Sequence, residues 1–283
     1  GALSGLANLR AAGVPFQLHT TVMASNAALL PRMHELVGSL GAAGWEITDG
    51  RTVLLLDPYL SRLRVSGQLG AMSTPVVPGD ERRVFGPQDE LVSDPAAVDA
   101  HIARADFLLI SHAHFNHTLD MPSIAKRTGA TVIGTESTIN LARAGGVAEP
   151  QLLAVRGGED YELTSFSVKV VPSLHSALRE KRYFDTRVVP RDVRGPRRMA
   201  DDIEGGTLAY LIRLAGHRIL WFGSMNYIER EVQGLRPDVA LIAAARQRLE
   251  IHDYTARLLR ALGVPRLVIA THWDEQSLAY GAT

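Results

Sequence analysis

Short strand-like and helix-like segments alternate along most of this chain, and this alternation constrains the fold more than any other feature. Residues 107–110 are apolar on both faces, which is typical of a strand in the centre of a covered sheet. Further strands are predicted over residues 45–47, 52–56, 131–133, 166–171, 207–214, 218–222, 239–243 and 266–269. Helices are predicted over residues 96–105, 122–128, 137–144, 227–235 and 254–262. The alternation predicts an α/β fold.

The first 40 residues have a different pattern. A helix is predicted over residues 3–12 and a strand over residues 16–22. A second helix, capped by Ser25 or Asn26, is predicted to run to Leu40. A segment of this size cannot bury much apolar surface by itself. We therefore expect residues 1–35 to form an N-terminal extension and residues 36–283 to form the main domain.

Composition excludes several classes of protein. The 283 residues include no cysteine, which excludes disulfides, thiolate zinc sites and a cysteine nucleophile. Lys and Arg number 30, as do Asp and Glu, and this balance argues against a basic face that binds nucleic acid. No apolar run approaches the roughly 20 residues that span a bilayer, so no membrane span is expected. We expect a cytoplasmic protein, with export of a processed form and the oligomeric state left open.

Five of the ten histidines lie directly after predicted strands. Residues 111–117 read Ser-His-Ala-His-Phe-Asn-His and follow the apolar strand 107–110, so that His112 and His114 point to the same side. His175 and His272 each follow another predicted strand. In α/β sheets the residues beyond the strand ends converge on one crevice, and neutral imidazoles bind zinc and related ions. The pattern predicts one metal site assembled from three loops.

Residues 112–117 resemble the His-x-His-x-Asp-His signature of the metallo-β-lactamase superfamily. His175, Gly223 in a Trp-Phe-Gly-Ser turn and His272 follow in the order typical of that superfamily. Residues 44–47 and 56–59 are similar to the start of the branch typified by the ascorbate-6-phosphate lactonase and the N-acyl-phosphatidylethanolamine phospholipase. The resemblance covers about residues 36–275. It implies an αβ/βα sandwich, two mixed β-sheets flanked by helices, with the metals at one edge between the sheets.

The resemblance also implies a set of metal ligands. His112, His114 and His175 match its first metal site, and His117 and His272 match its second. Two positions depart from the pattern, because Asn116 stands at the aspartate of the signature and Ser224 stands at the aspartate that bridges the two metals.

Those departures change the expected metal content. An amide or hydroxyl oxygen carries no charge, and two divalent ions among neutral imidazoles would repel each other strongly. We therefore expect a single tightly held ion on His112, His114 and His175, with zinc as the leading candidate and manganese or iron as alternatives. A second ion would be weak or would recruit a carboxylate from Asp57 or Asp120. Each acid has an alternative role, Asp57 as a turn cap and Asp120 as an acid before a helix or an acid that orients a liganding imidazole.

The leading functional hypothesis is a metal-dependent hydrolase. A metal-activated water would attack an ester, lactone, amide or phosphodiester in a small-molecule substrate. Asn116, Asp57 and Tyr227 are the candidate catalytic residues, with Tyr227 placed to stabilise an oxyanion. The alternative is a degenerate family member that binds a ligand or partner without turnover, which the two missing acids favour.

Residues 179–204 form a polar insertion rich in arginine and aspartate. Its guanidinium groups would suit an anionic substrate if the insertion overhangs the metal edge. The alternative is a solvated loop of mixed charge.

Overall fold

The computed structural model describes residues 37–66, 78–177, 181–183, 185–194, 197–274 and 276–279. The predicted helix 3–12 and strand 16–22, and most of the helix predicted to end at Leu40, lie outside these residues. The last part of that helix prediction is wrong, because Val37–Gly41 is a strand. Its antiparallel pairing with the next strand overrides local helix preference.

The first sheet contains six strands in the order β1-β2-β3-β6-β7-β8. Tight turns make β1, β2 and β3 antiparallel, whereas β3, β6, β7 and β8 run parallel. The strands are β1 Val37–Gly41, β2 Gly44–Thr48, β3 Val53–Leu56, β6 Phe107–Leu109, β7 Thr131–Gly134 and β8 Leu152–Ala154. The predicted Asp49-Gly50 turn joins β2 to β3, and the Asp49 carboxylate accepts hydrogen bonds from the two N–H groups that follow Gly50. As predicted, β6 lies inside the sheet.

The second sheet contains six strands in the order β14-β13-β12-β11-β10-β9. Short turns join β9 to β10 and β11 to β12, and the long insertion joins β10 to β11, so that β9 to β12 are antiparallel, whereas crossovers make β12, β13 and β14 parallel. The strands are β9 Asp160–Glu162, β10 Ser167–Ser173, β11 Thr207–Leu214, β12 His217–Phe222, β13 Val239–Ala243 and β14 Leu267–Thr271. A separate parallel pair, β4 Arg64–Val65 and β5 Val84–Phe85, lies between β3 and β6 along the chain.

Helices cover the outer face of each sheet. The helices are α1 Pro95–His101, α2 Phe115–Thr118, α3 Met121–Thr128, α4 Glu136–Ala144, α5 Glu229–Val232 and α6 Tyr254–Leu262. Short 3-10 turns occupy Glu149–Gln151, Met199–Asp201 and Arg246–Glu250. Within the described residues, no helix has the length and apolar character needed to cross a membrane.

Three apolar layers hold this arrangement together. Inward-facing side chains of both sheets, including Leu54, Leu109 and Trp221, form the central layer. A second layer lies between the first sheet and α1, α3 and α4, and a third lies between the second sheet and α5 and α6. The stacking order of helices, sheet, sheet and helices is the αβ/βα sandwich that the sequence predicts. Because β3, β6, β10, β12 and β14 all end at one edge, the loops that follow them meet there.

Candidate metal centre

The loop after β6 carries the histidine-rich segment into that edge. Backbone hydrogen bonds fix the loop on both sides, since Ala113 N–H donates to Glu204 O and Leu208 N–H donates to Ser111 O. Helix α2 then begins at Phe115 and carries His117 inward. His112, His114 and His117 are all buried.

Two further loops bring the remaining histidines to the same place. His175 follows β10 and is buried, and its ring lies 4.8 Å from that of His112 and 4.7 Å from that of His114, centroid to centroid. His272 follows β14 in a left-handed backbone conformation with φ of 49°, where a hydrogen bond from its N–H to Ala42 O holds it. Its ring lies 5.4 Å from that of His117. The structure therefore brings the five predicted histidines together.

The atoms of three histidines converge as metal ligands would. His112, His114 and His175 each offer a ring nitrogen, and these nitrogens lie within 4.8 Å of one another. His112 Nε2 and His114 Nδ1 are 3.1 Å apart. Two nitrogens bound to one tetrahedral Zn²⁺ at about 2.05 Å would be separated by about 3.3 Å. This part of the chain is thus already spaced for a shared cation.

Hydrogen bonds on the far side of two rings select the tautomer that a metal needs. The Ser111 hydroxyl lies 2.5 Å from Asp57 Oδ2 and 2.9 Å from His112 Nδ1. Because its single proton goes to the carboxylate, the hydroxyl accepts the Nδ1–H of His112. His175 Nδ1 likewise lies 3.0 Å from Ser176 O, an acceptor. Both rings therefore present an unprotonated Nε2 to the site.

Asp57 is the carboxylate of this centre. It is fully buried at the end of β3, accepts the Ser111 N–H at 2.8 Å and lies 2.5 Å from His117 Nδ1. Burial raises the pKa of Asp57, and the hydrogen bonds from Ser111 oppose that rise. Gly223 allows this packing, because a Cβ at that position would lie 2.1 Å from Ser111 Oγ and 2.6 Å from Asp57 Oδ2. Asp57 thus holds His117 with Nε2 directed away from it.

Burial keeps the imidazoles neutral. It lowers the pKa of His114 to about 3 and lowers the pKa values of His112, His117 and His175 well below the ordinary value. Neighbouring histidines reinforce this effect at His112, because a second positive charge would be repelled. Neutral imidazole is the form that binds a metal ion, so the cluster is prepared for one.

The two positions that depart from the signature have neutral hydrogen-bond partners. Asn116 Nδ2 donates to Gln276 Oε1 at 2.8 Å, and the Asn116 side chain is buried. The Ser224 hydroxyl accepts the Ser176 N–H at 2.9 Å, directly after His175. Neither residue adds negative charge to the centre.

The Asp120 carboxylate binds loop residues rather than an imidazole. Its buried carboxylate accepts hydrogen bonds from Leu60 N at 2.6 Å, Ser61 N at 2.8 Å, the Ser61 hydroxyl and Ser93 Oγ at 2.6 Å. It gives no side-chain cap to α3. Asp120 therefore anchors the loop that follows Asp57.

Tyr227 is also placed apart from the histidines. Its ring packs in the layer between the second sheet and α6, 5.8 Å from the ring of Tyr254 and beneath the guanidinium of Arg257. Its hydroxyl is buried and has no hydrogen-bond partner among the described residues. The preceding residue, Asn226, is the one that reaches the site, since its amide donates to His175 O at 3.3 Å and to Tyr183 Oη at 3.2 Å.

Among the described residues of the insertion, four basic side chains pair with acids. The ion pairs are Lys181–Glu250, Arg187–Asp185, Arg191–Glu149 and Arg197–Asp202. These contacts favour the mixed-charge loop over a cluster of cations that receives an anionic substrate.

The network around Arg62 and Asp274 has no counterpart in the sequence predictions. Arg62 donates to Asp274 Oδ2 at 2.9 Å and to Leu278 O at 2.7 Å, and the side chains of this ion pair are only 2% and 5% exposed. Asp274 also accepts the Ala42 N–H. The segment after β14 is thereby tied to the loops after β1 and β3.

Comparison with known proteins identifies the family. Residues 52–273 match the family described as the beta-lactamase superfamily domain. That match covers more than half of the chain, so the chain belongs to the metallo-β-lactamase superfamily.

Two solved structures share the fold. Igni18, a metallo hydrolase from Ignicoccus hospitalis, has a TM-score of 0.51 at 17% identity, over 84% of this chain and 82% of its own. A mutant of the CmlA beta-hydroxylase has a TM-score of 0.51 at 15% identity, over 99% of this chain and 54% of its own.

Relatives in sequence are named metal-dependent hydrolases. A UPF0173 metal-dependent hydrolase of Flavobacterium johnsoniae is 34% identical over 83 residues, 29% of this chain and 35% of that protein. Another, from Thermoplasma volcanium, is 24% identical over 188 residues, 65% of this chain and 73% of that protein. The match to the first relative thus spans little more than a third of its length.

Proposed function

We propose that this chain is a metal-dependent hydrolase that holds one Zn²⁺ on His112 Nε2, His114 Nδ1 and His175 Nε2. The observation that carries the proposal is the 3.1 Å approach of His112 Nε2 to His114 Nδ1, with both outer hydrogen bonds set for metal binding. Three neutral imidazoles with an open fourth position are typical of catalytic zinc sites, and manganese, which prefers oxygen ligands, would suit this nitrogen set less well.

The metal and the protein would divide the chemistry between them. A bound Zn²⁺ would polarise the carbonyl or phosphoryl oxygen of the substrate and make a nucleophile available from water at neutral pH. The amide oxygen of Asn116 is too weak a base to accept the proton of the attacking water, so another group must accept it. His117 is arranged for that step, because Asp57 holds its Nδ1–H at 2.5 Å and leaves Nε2 as the acceptor.

The proposed hydrolysis, rather than the fold, defines which substrate classes are possible. An ester, lactone, amide or phosphodiester offers an oxygen for zinc to polarise, and the resemblance to the lactonase and phospholipase branch favours the lactone and phosphodiester. The neutralised arginines of the insertion give no support to a strongly anionic substrate.

Hydrolysis of a substrate panel tests the proposal. The protein would be stripped with a chelator, reloaded with Zn²⁺ and assayed on an aryl ester, a lactone and a bis-aryl phosphodiester. We expect activity with at least one substrate that disappears on stripping, returns with Zn²⁺ and is absent from His114→Ala. Zinc-loaded protein that turns over none of the panel would contradict the proposal.

A ligand-binding protein without turnover is the second candidate. The observation that favours it is the neutral character of Asn116 and Ser224, both of which bond to other protein groups. The Asn116→Asp variant separates the two candidates. Activity that appears only in this variant would show that the natural chain is a degenerate member of the superfamily.

A further inference from the structure

A cavity of about 450 Å³ lies between the insertion and helices α2, α3 and α4, and none of the five clustered histidines lines it. Its walls are mostly apolar. The apolar lining includes Leu119, Pro122, Leu141, Ala144, Val189 and Val193. The volume falls within the roughly 300–1,000 Å³ of pockets that take small organic ligands.

Three charged side chains also line the cavity, Arg194, Arg197 and Asp201. Arg197 is already engaged, because it donates to Asp202 Oδ1 at 2.6 Å, to Thr118 Oγ1 at 2.6 Å and to Ala113 O. Arg194 is exposed and has no hydrogen bond or ion pair with any other residue that the structure describes. Asp201 is an exposed carboxylate on a short 3-10 turn. The guanidinium of Arg194 is therefore the group available to a ligand's charge.

We propose that this cavity binds an amphipathic small-molecule anion, with an apolar chain or ring between α3 and α4 and a carboxylate on Arg194. The apolar walls supply the affinity for the body of the ligand, and a charge-assisted hydrogen bond from the guanidinium orients its head. Because Arg197 is paired with Asp202, Arg194 supplies the positive charge that would hold an anionic head, and the Asp201 carboxylate in the same lining opposes it.

The site is separate from the metal centre but shares a wall with it. Thr118 follows His117 in α2 and lines the cavity, and Arg197 bonds both to Thr118 and to the carbonyl between His112 and His114. Asp202 accepts both the Arg197 guanidinium and the Phe115 N–H at 3.1 Å. The cavity site does not require the proposed hydrolase function, because none of its lining residues is a candidate metal ligand.

Calorimetric titration with octanoate, octan-1-ol, octylamine and acetate tests the ligand class. We expect octanoate to bind saturably and about threefold more tightly than octan-1-ol, since an ion pair with an exposed guanidinium is screened by water and adds only a few-fold to affinity. Acetate lacks the apolar body and should bind more weakly still. Octylamine binding as tightly as octanoate, or no saturable binding of octanoate, would overturn the proposal.

Variants locate the binding. Arg194→Gln should weaken octanoate binding by about threefold and leave octan-1-ol binding unchanged. The matched control is Arg191→Gln, which removes an exposed arginine of the same segment that lies outside the cavity and should have no effect. Asp201→Asn should strengthen octanoate binding, because it removes the opposing charge. Equal effects of the two arginine variants would contradict the assignment.

Titration of metal-free protein tests for binding at the histidines instead. This control is needed because a carboxylate would also be attracted to a cation bound there. His114→Ala and chelator-treated protein should keep their octanoate affinity, whereas Ala144→Phe, which fills the cavity from an exposed helix position, should lose it. Loss of octanoate binding on removal of the metal would place the ligand at the metal centre and refute the cavity site.

Discussion

Replacement of Ser111 by alanine removes a single hydroxyl between Asp57 and His112. That hydroxyl lies 2.5 Å from Asp57 Oδ2 and 2.9 Å from His112 Nδ1, and all three residues are fully buried. The backbone N–H of residue 111 still bonds to Asp57 Oδ1 at 2.8 Å, so the change is confined to the hydroxyl. Without it, the Nδ1–H of His112 has lost the acceptor that the structure provides.

The lost hydrogen bond destabilises the metal-bound protein more than the metal-free protein. A buried donor without a partner costs about 1–3 kcal/mol. In metal-free protein the imidazole can avoid this cost by moving its proton to Nε2, but a bound metal requires the proton on Nδ1. We therefore expect Ser111→Ala to weaken zinc affinity by about 10–100-fold.

Zinc affinity would be measured by competition with a chromophoric chelator. Ser176→Ala is the matched control, because His175 Nδ1 bonds at 3.0 Å to the backbone oxygen of Ser176, which alanine retains, whereas the Ser176 hydroxyl lies farther from Nδ1, at 3.4 Å. The control should bind zinc as the natural protein does. Unchanged affinity in Ser111→Ala, or an equal loss in both variants, would refute the reasoning about tautomers.

Three other outcomes follow from packing and charge. Gly223→Ala should lower the free energy of unfolding by about 1–3 kcal/mol in urea denaturation, because its Cβ would collide with Ser111. The control is Gly86→Ala, which should not destabilise the fold because its Cβ would lie 3.4 Å from its nearest neighbour. Asp120→Ala should cost about 3 kcal/mol of stability in the same assay and leave the metal stoichiometry unchanged, since its carboxylate binds loop donors rather than an imidazole. Asn116→Asp should add a second metal ion in elemental analysis by supplying negative charge, and an unchanged count would show that charge is not what limits the second site.

Much of the fold follows from local sequence patterns. The β11, β13 and α6 bounds agree with the prediction, and the apolar β6 is interior because both of its faces are covered. The edge strands β8 and β9 were missed. They have three residues each and few buried side chains, so their strand conformation depends on pairing with neighbours that are distant in sequence.

The candidate site could be predicted in its histidines but not in its supporting contacts. Histidines after strand ends carry a residue-type signal, and the topology brings those ends together. Ser111 and Gln276 carried no such signal, because their roles depend on which side chain lies opposite them in the fold. Ser111 directly precedes His112 at the end of a buried strand, and that position is the feature that would have identified it. Tyr227 is predicted to be catalytic but lies apart from the histidines. Its neighbour Asn226 contacts the His175 loop, whereas the Tyr227 ring faces α6.

Elemental analysis of metal in three purified proteins tests the single-site account most directly. The natural chain and His272→Ala should each contain one zinc per chain, and His114→Ala should contain none, because only the latter removes one of the three converging nitrogens. Two ions per chain in the natural protein, or one ion retained by His114→Ala, would contradict a single metal held on His112, His114 and His175.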